Sequence, residues 1–263
     1  MASERIVRSG TAELFARIDG EDGPWVVLLN SLAADPSMWE PQVAALAAHY
    51  RVVRFDTRGH GRSSAPPPPY SIDALADDLF AVLAACNAAP AHVVGLSLGG
   101  VVAAAAALRE PNAFASLAIC DSRVAMPAEF RQGIDDRNRL VREQGMEAVV
   151  DLFIERWFTP AAPAAVREPV KGMIRGTSVA GFTGCSEALK HAAVLERLPE
   201  IRLPALFLVG TEDAAVPEPV MRDQQRRIAN SRYAAIPRAG HLSNLEQPAA
   251  FNDALLAFLR SAA

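Results

Sequence analysis

Several things are scarce in this 263-residue sequence, and each scarcity removes a class of function. There are three cysteines, Cys86, Cys120 and Cys185, odd in number and far apart. That spacing builds neither a disulfide framework nor a zinc site, and it fits reduced, buried thiols of a cytoplasmic protein. Positive charge is not in surplus. The net charge of −4 and pI of about 5.8 leave no basic face to neutralise phosphates, so nucleic acid is not an expected partner. The longest apolar run, residues 101–108, falls far below the roughly 20 residues of a membrane span. The opening MASERIVRSG lacks the apolar stretch of a secretory signal. There is no internal repeat, and the one low-complexity piece, Pro66–Pro69, reads as a stiff surface loop. No residues stand at metal-ligand spacing and no dinucleotide fingerprint is present, so no cofactor is expected. A soluble cytoplasmic globule acting on a small molecule remains, and 51% apolar residues can supply its core.

Short β-forming runs alternate with helical patterns. Residues 5–7 and 12–18 read as an antiparallel pair joined at Ser9-Gly10. Further strands are expected at 25–29, 51–55, 92–96, 116–120, 205–209 and 233–236, mostly as continuous apolar runs. Such runs suit parallel strands covered on both faces. Helical segments such as 72–85 and 101–109 lie between them, so the pattern predicts a doubly wound, mostly parallel α/β sheet of eight strands. Between residues 120 and 205 the alternation stops. Four helix-like pieces, 128–144, 146–158, 164–174 and 185–195, are punctuated by Pro160, Pro163, Pro169 and Pro199. This interval reads as a helical cap (123–198) inserted after the sixth strand of a core formed by 1–122 and 199–263. It would cover the C-terminal edge of the sheet, where such folds bind ligands.

Chemistry enters at HVVGLSLGGVV, residues 92–102. A β-branched run stops at Gly-Leu-Ser-Leu-Gly-Gly and becomes an alanine-rich helix pattern. Gly-x-Ser-x-Gly between strand and helix is a sharp elbow that lifts a serine hydroxyl above the sheet, so Ser97 is the candidate nucleophile. A serine needs a base, and the base needs an orienting group. His241 follows the last expected strand and precedes the final helix. His49 and His92 sit at element ends as structural residues, His60 reads as a wall of the site, and His191 lies in the cap. Two acids stand at C-terminal strand ends, Asp121 and Asp213, and either keeps the chain order Ser…Asp…His. Asp213 is favoured because its loop lies nearest in sequence to that of His241. An oxyanion would be met by the backbone N–H of Leu98, at a helix N-terminus, and by that of Leu32 in the loop after residues 25–29.

With these residues placed, the chain resembles the α/β-hydrolase superfamily and, within it, the 3-oxoadipate enol-lactonases. The resemblance rests on residues 23–42, 54–66 (RFDTRGHGRSSAP), 95–100, 144–160, 210–217 (GTEDAAVP) and 240–248 (GHLSNLEQP). Asn30-Ser31-Leu32 is the most telling match, since most of the superfamily has His-Gly there. The resemblance implies Ser97 as nucleophile, Asp213 as acid, His241 as base and an oxyanion hole at Leu32 and Leu98. It also places Trp157 in the substrate cavity. Met126 and Phe182 are expected as further apolar walls. Two segments depart from the lactonase pattern, 119–126 and 185–198, and both should face the pocket. The implied activity is opening of a small enol-lactone through an acyl-enzyme; a broader carboxylesterase with the same residues is the alternative. The lactone's carboxylate would need a cation, and Arg123 is preferred over Lys190 for it.

Overall fold

In the computed structural model, which describes residues 3–262, the chain opens with β1 (Ser3–Ser9) paired antiparallel to β2 (Ala12–Asp19). The β-forming runs that follow become β3 (Trp25–Leu29), β4 (Arg51–Phe55), β5 (Ala91–Leu96), β6 (Phe114–Cys120), β7 (Ala205–Gly210) and β8 (Ser231–Ile236). They join one eight-stranded sheet in the order β1-β2-β4-β3-β5-β6-β7-β8. Beyond the antiparallel pairs at β1, β2 and β4, neighbouring strands are parallel. Every residue of β3, β5 and β7 is buried, as strands covered on both faces must be.

The helices connect these strands: α1 (Glu40–Leu46), α2 (Ile72–Cys86) and α3 (Leu98–Arg109) between β3 and β6, and α8 (Glu218–Arg226) between β7 and β8. Short α9 (Ser243–Glu246) and α10 (Pro248–Ser261) close the chain. Local signals set their ends. Ser71 accepts a hydrogen bond from the Ala74 N–H to start α2, and Asn87 ends it in the left-handed region. Between β6 and β7 lie α4 (Ala128–Gln144), α5 (Val150–Trp157), α6 (Ala164–Gly176) and α7 (Val179–Lys190). The expected helix over 146–158 divides into a 3-10 turn, Met146–Val149, followed by α5. The expected helix over 185–195 instead begins at Val179, capped by the Ser178 hydroxyl, and stops at Lys190. Among the described residues no helix is long and apolar enough to cross a membrane.

Candidate active site

The β5–α3 junction is a tight elbow. Ser97 has φ +54, a left-handed conformation that an L-residue adopts only when its surroundings impose it. Its N–H donates to the Cys120 carbonyl at 2.9 Å, and its own carbonyl accepts from the Ser122 hydroxyl at 2.7 Å. The flanking glycines are required by space. A Cβ on Gly95 would lie 2.2 Å from the Gly99 carbonyl oxygen, and one on Gly99 would lie 2.3 Å from that of Leu29. The serine is thereby thrust upward from the end of β5, into a cavity of about 510 Å³.

His241 enters the same cavity from the loop after β8. Its Nδ1 lies 2.9 Å from Asp213 Oδ2, with both side chains almost wholly buried. The second Asp213 oxygen accepts from the Ala215 and Val216 N–H groups at 2.7 and 2.9 Å. These donors fix the carboxylate, which fixes the ring with Nδ1–H donating and leaves Nε2 as the nitrogen that can take up a proton. Among the described residues Nε2 makes no hydrogen bond. The loop is tied down by Glu246, which accepts from the Gly240 N–H at 2.9 Å and from the Thr159 N–H and hydroxyl. The Leu242 N–H also donates to the Trp157 carbonyl, so the insertion grips the histidine loop directly.

Asp121 does not reach the histidine. It has φ +45 and is fully buried, accepting from the Gly210 N–H at 2.8 Å and the Ser243 hydroxyl at 2.5 Å. Burial, and then the charge of Asp213, push its carboxyl well above the usual carboxylate range. It therefore braces the ends of β7 and the His241 loop.

The loop after β3 is held on all sides. Asn30 donates to the Phe55 carbonyl and accepts from the Trp39 indole and, at its carbonyl, from the Gly99 N–H. The Ser31 N–H meets the Met38 sulfur, and the Ala33 N–H donates to His60 Nε2 at 3.0 Å. His60 Nδ1 faces the Arg58 carbonyl at 3.1 Å, which assigns it the neutral, Nδ1-protonated form. Burial supports this by holding its pKa down at about 4. His60 is thus a strut for the loop rather than a wall of the cavity, a role that a histidine in DTRGHGRSS does not announce. The outcome is that the Leu32 and Leu98 N–H groups, among the described residues, donate to no protein acceptor.

The remaining cavity walls come largely from α4 and α5. Of the residues expected there, Met126, Trp157 and Arg123 line it. Trp157 stacks on Phe153 at 4.5 Å and lies 6.1 Å from the His241 ring. Phe182 is not in the lining. It is fully buried behind Phe153, with ring centroids 5.8 Å apart. Residues that the sequence did not single out, Phe130, Ile134, Arg137, Leu140 and Arg156, also face the space. No three His, Cys, Asp or Glu side chains among the described residues are arranged to hold a metal ion.

An eight-stranded sheet in this order, a strand–serine–helix elbow and a helical insertion after β6 together make up an α/β hydrolase. The chain belongs to the alpha/beta hydrolase family, whose sequence model matches residues 26–254. It is similar to 3-oxoadipate enol-lactonase 2 of Acinetobacter baylyi, 34% identical over 94% of this chain and 92% of that one. A putative carbamate hydrolase RutD of Azorhizobium caulinodans is 31% identical over 95% and 96% of the two chains. The crystal structure of the enol-lactonase from Burkholderia xenovorans superposes with a TM-score of 0.91 at 35% identity, covering 98% of this chain and all of that one.

Proposed function

We propose that this protein is a serine hydrolase that opens a small lactone, 3-oxoadipate enol-lactone fitting best, through an acyl-enzyme. One observation carries the reading. Ser97, at the strained elbow, shares a cavity with a histidine whose far nitrogen is held by a buried, doubly anchored carboxylate. The enol-lactonase relatives support the choice of lactone.

The steps follow from the atoms present. His241 Nε2 takes the Ser97 hydroxyl proton as Oγ attacks the ring carbonyl, and Asp213 stabilises the imidazolium that forms. Such hydrogen bonds tighten only in the substrate complex, in keeping with an Nε2 unbonded here. The carbonyl oxygen becomes an oxyanion between the Leu32 and Leu98 N–H groups, each such donor contributing roughly 10²- to 10³-fold. Collapse breaks the ring C–O bond, and the enol leaves while still tethered through the acyl chain. An enol is a better leaving group than an alcohol, so it asks little acid help from His241. The imidazolium passes its proton to the departing enolate oxygen. The histidine, neutral again, takes a proton from water as it attacks the acyl carbon and hands it to Ser97 Oγ as the acyl C–O bond breaks. Tautomerisation of the enol to the ketone draws the reaction toward opening.

The test is a kcat/KM panel of the enol-lactone, saturated lactones, short p-nitrophenyl esters and an N-alkyl carbamate. Preference for the enol-lactone is expected. Comparable activity on all esters would make the protein a broad carboxylesterase, and preference for the carbamate would overturn the lactone assignment.

A further inference from the structure

One wall of the cavity contains a cation with no counter-ion among the described residues. Arg137, on the inner face of α4, lines the space that also holds Ser97 and His241. Its Nε is buried without a partner, and the guanidinium's polar contact is the Ser186 hydroxyl at a long 3.4 Å. Phe153 and Phe182 flank it, at 5.3 and 5.8 Å from their ring centres. Burial, with the charge of Arg156 added, draws its pKa down to about 10, so it stays charged at neutral pH. Of the two acids on the same cavity, Asp136 is engaged by Arg139 at 2.8 Å and by Gln132. Glu129 makes no hydrogen bond or ion pair among the described residues and does not reach the guanidinium. A charge withdrawn from water without a partner is costly, and an incoming anion would recover that cost.

We infer that Arg137 is the recognition site for a carboxylate at the end of the substrate remote from the reacting carbonyl. The substrate class is then an anionic lactone or ester whose acyl-enzyme carries a free carboxylate at its far end. This rests on the hydrolase reading above and adds to it the group that selects among esters. The planar guanidinium offers two parallel N–H donors to a carboxylate, and the apolar rings beside it strengthen that contact by excluding water. Arg123, preferred from the sequence, also faces the cavity, but its guanidinium lies 5.2 Å over the ring of half-exposed Phe130. Arg123 is itself only partly buried, and the charges of Asp213 and Glu129 already act on it, so a carboxylate gains less there. Arg156 is itself exposed.

The experiment compares two p-nitrophenyl esters of equal chain length, the anionic mono-adipate and the neutral hexanoate. Wild type, Arg137→Met, Arg137→Lys and Arg123→Ala are assayed, each with its melting temperature. In parallel, adipate is titrated calorimetrically into wild type and Arg137→Met. The mono-adipate to hexanoate ratio of kcat/KM should fall roughly 10- to 100-fold in Arg137→Met, with Arg137→Lys between, and adipate binding should weaken alike. An unchanged ratio with a lowered melting temperature would make Arg137 only a strut between Phe153 and Phe182. A fall confined to Arg123→Ala would move the site to the rim. If wild type hydrolysed neither ester, the hydrolase reading would fail and adipate binding alone would judge Arg137: loss in Arg137→Met upholds it, equal or absent binding in both overturns it.

Discussion

Replacing Asp213 by asparagine is a nearly isosteric change, yet the surroundings make it severe. Asp213 Oδ1 accepts two backbone N–H groups, from Ala215 and Val216, so the amide oxygen must take that place. The NH₂ group is then turned toward His241 Nδ1, 2.9 Å away. Two N–H groups cannot face each other, so the ring must present a bare Nδ1 and carry its proton on Nε2. That is the atom needed to accept the Ser97 proton. Trapping the histidine in this tautomer costs roughly 10⁴-fold in kcat, about 5 kcal/mol of barrier. Asp121→Asn is the control. With its oxygen at the Gly210 N–H, its NH₂ can donate to Ser243, whose hydroxyl changes from donor to acceptor. Its kcat should fall by less than about tenfold, since it does not touch His241. Both variants would be assayed on p-nitrophenyl butyrate, with circular dichroism to show an intact fold. Near-normal turnover by Asp213→Asn, or a greater loss in Asp121→Asn, would refute the assignment of the acid.

Trp157 both lines the cavity and packs, being 3% exposed and stacked on Phe153. Trp157→Ala should therefore cost about 3 kcal/mol of stability by urea unfolding, whereas Trp157→Phe should keep the stack and raise relative kcat/KM for bulkier acyl groups. An unaltered acyl preference in a stable Trp157→Phe would remove Trp157 from the specificity wall. Asp56 is buried, with Oδ1 unpartnered among the described residues, and burial raises its pKa to about 7. The unfolded chain ionises near the ordinary carboxylate value while the folded one holds its proton, so wild type loses stability as pH rises through that window. Relative to wild type, Asp56→Asn should gain about 3 kcal/mol between pH 5 and pH 8; a stability difference that does not change with pH would contradict this.

Much of the frame is legible because β3 is an unbroken apolar run and β4 a short β-forming run around Val52-Val53, and their ends fall where the sequence puts them. The elbow is legible too, since glycine spacing around a serine encodes a steric demand. What escapes is information held by neighbours distant in sequence. The start of α7 is hidden by Gly181 and Gly184, poor helix formers in isolation. Gly181 is there because Gly59 approaches so closely that a Cβ would lie 2.3 Å from the Gly59 carbonyl oxygen. Phe182 reads as apolar and cap-borne, but whether it faces the cavity or the packing behind Phe153 depends on how α7 is turned. Arg137 carries no signal in sequence, because an arginine on an otherwise charged helix looks like solvent-facing charge. His60 and Asp121 likewise acquire their bracing roles only when β3, β4, β6 and β7 lie side by side.

The measurement that bears most directly on the proposed chemistry is the mass of the enzyme stopped in acid during turnover of a p-nitrophenyl ester, followed by peptide mapping. One acyl group is expected, on the peptide containing Ser97, accompanied by a stoichiometric burst of p-nitrophenol and absent from Ser97→Ala. An acyl group on any other residue, or undiminished turnover by a folded Ser97→Ala, would contradict a covalent mechanism through Ser97.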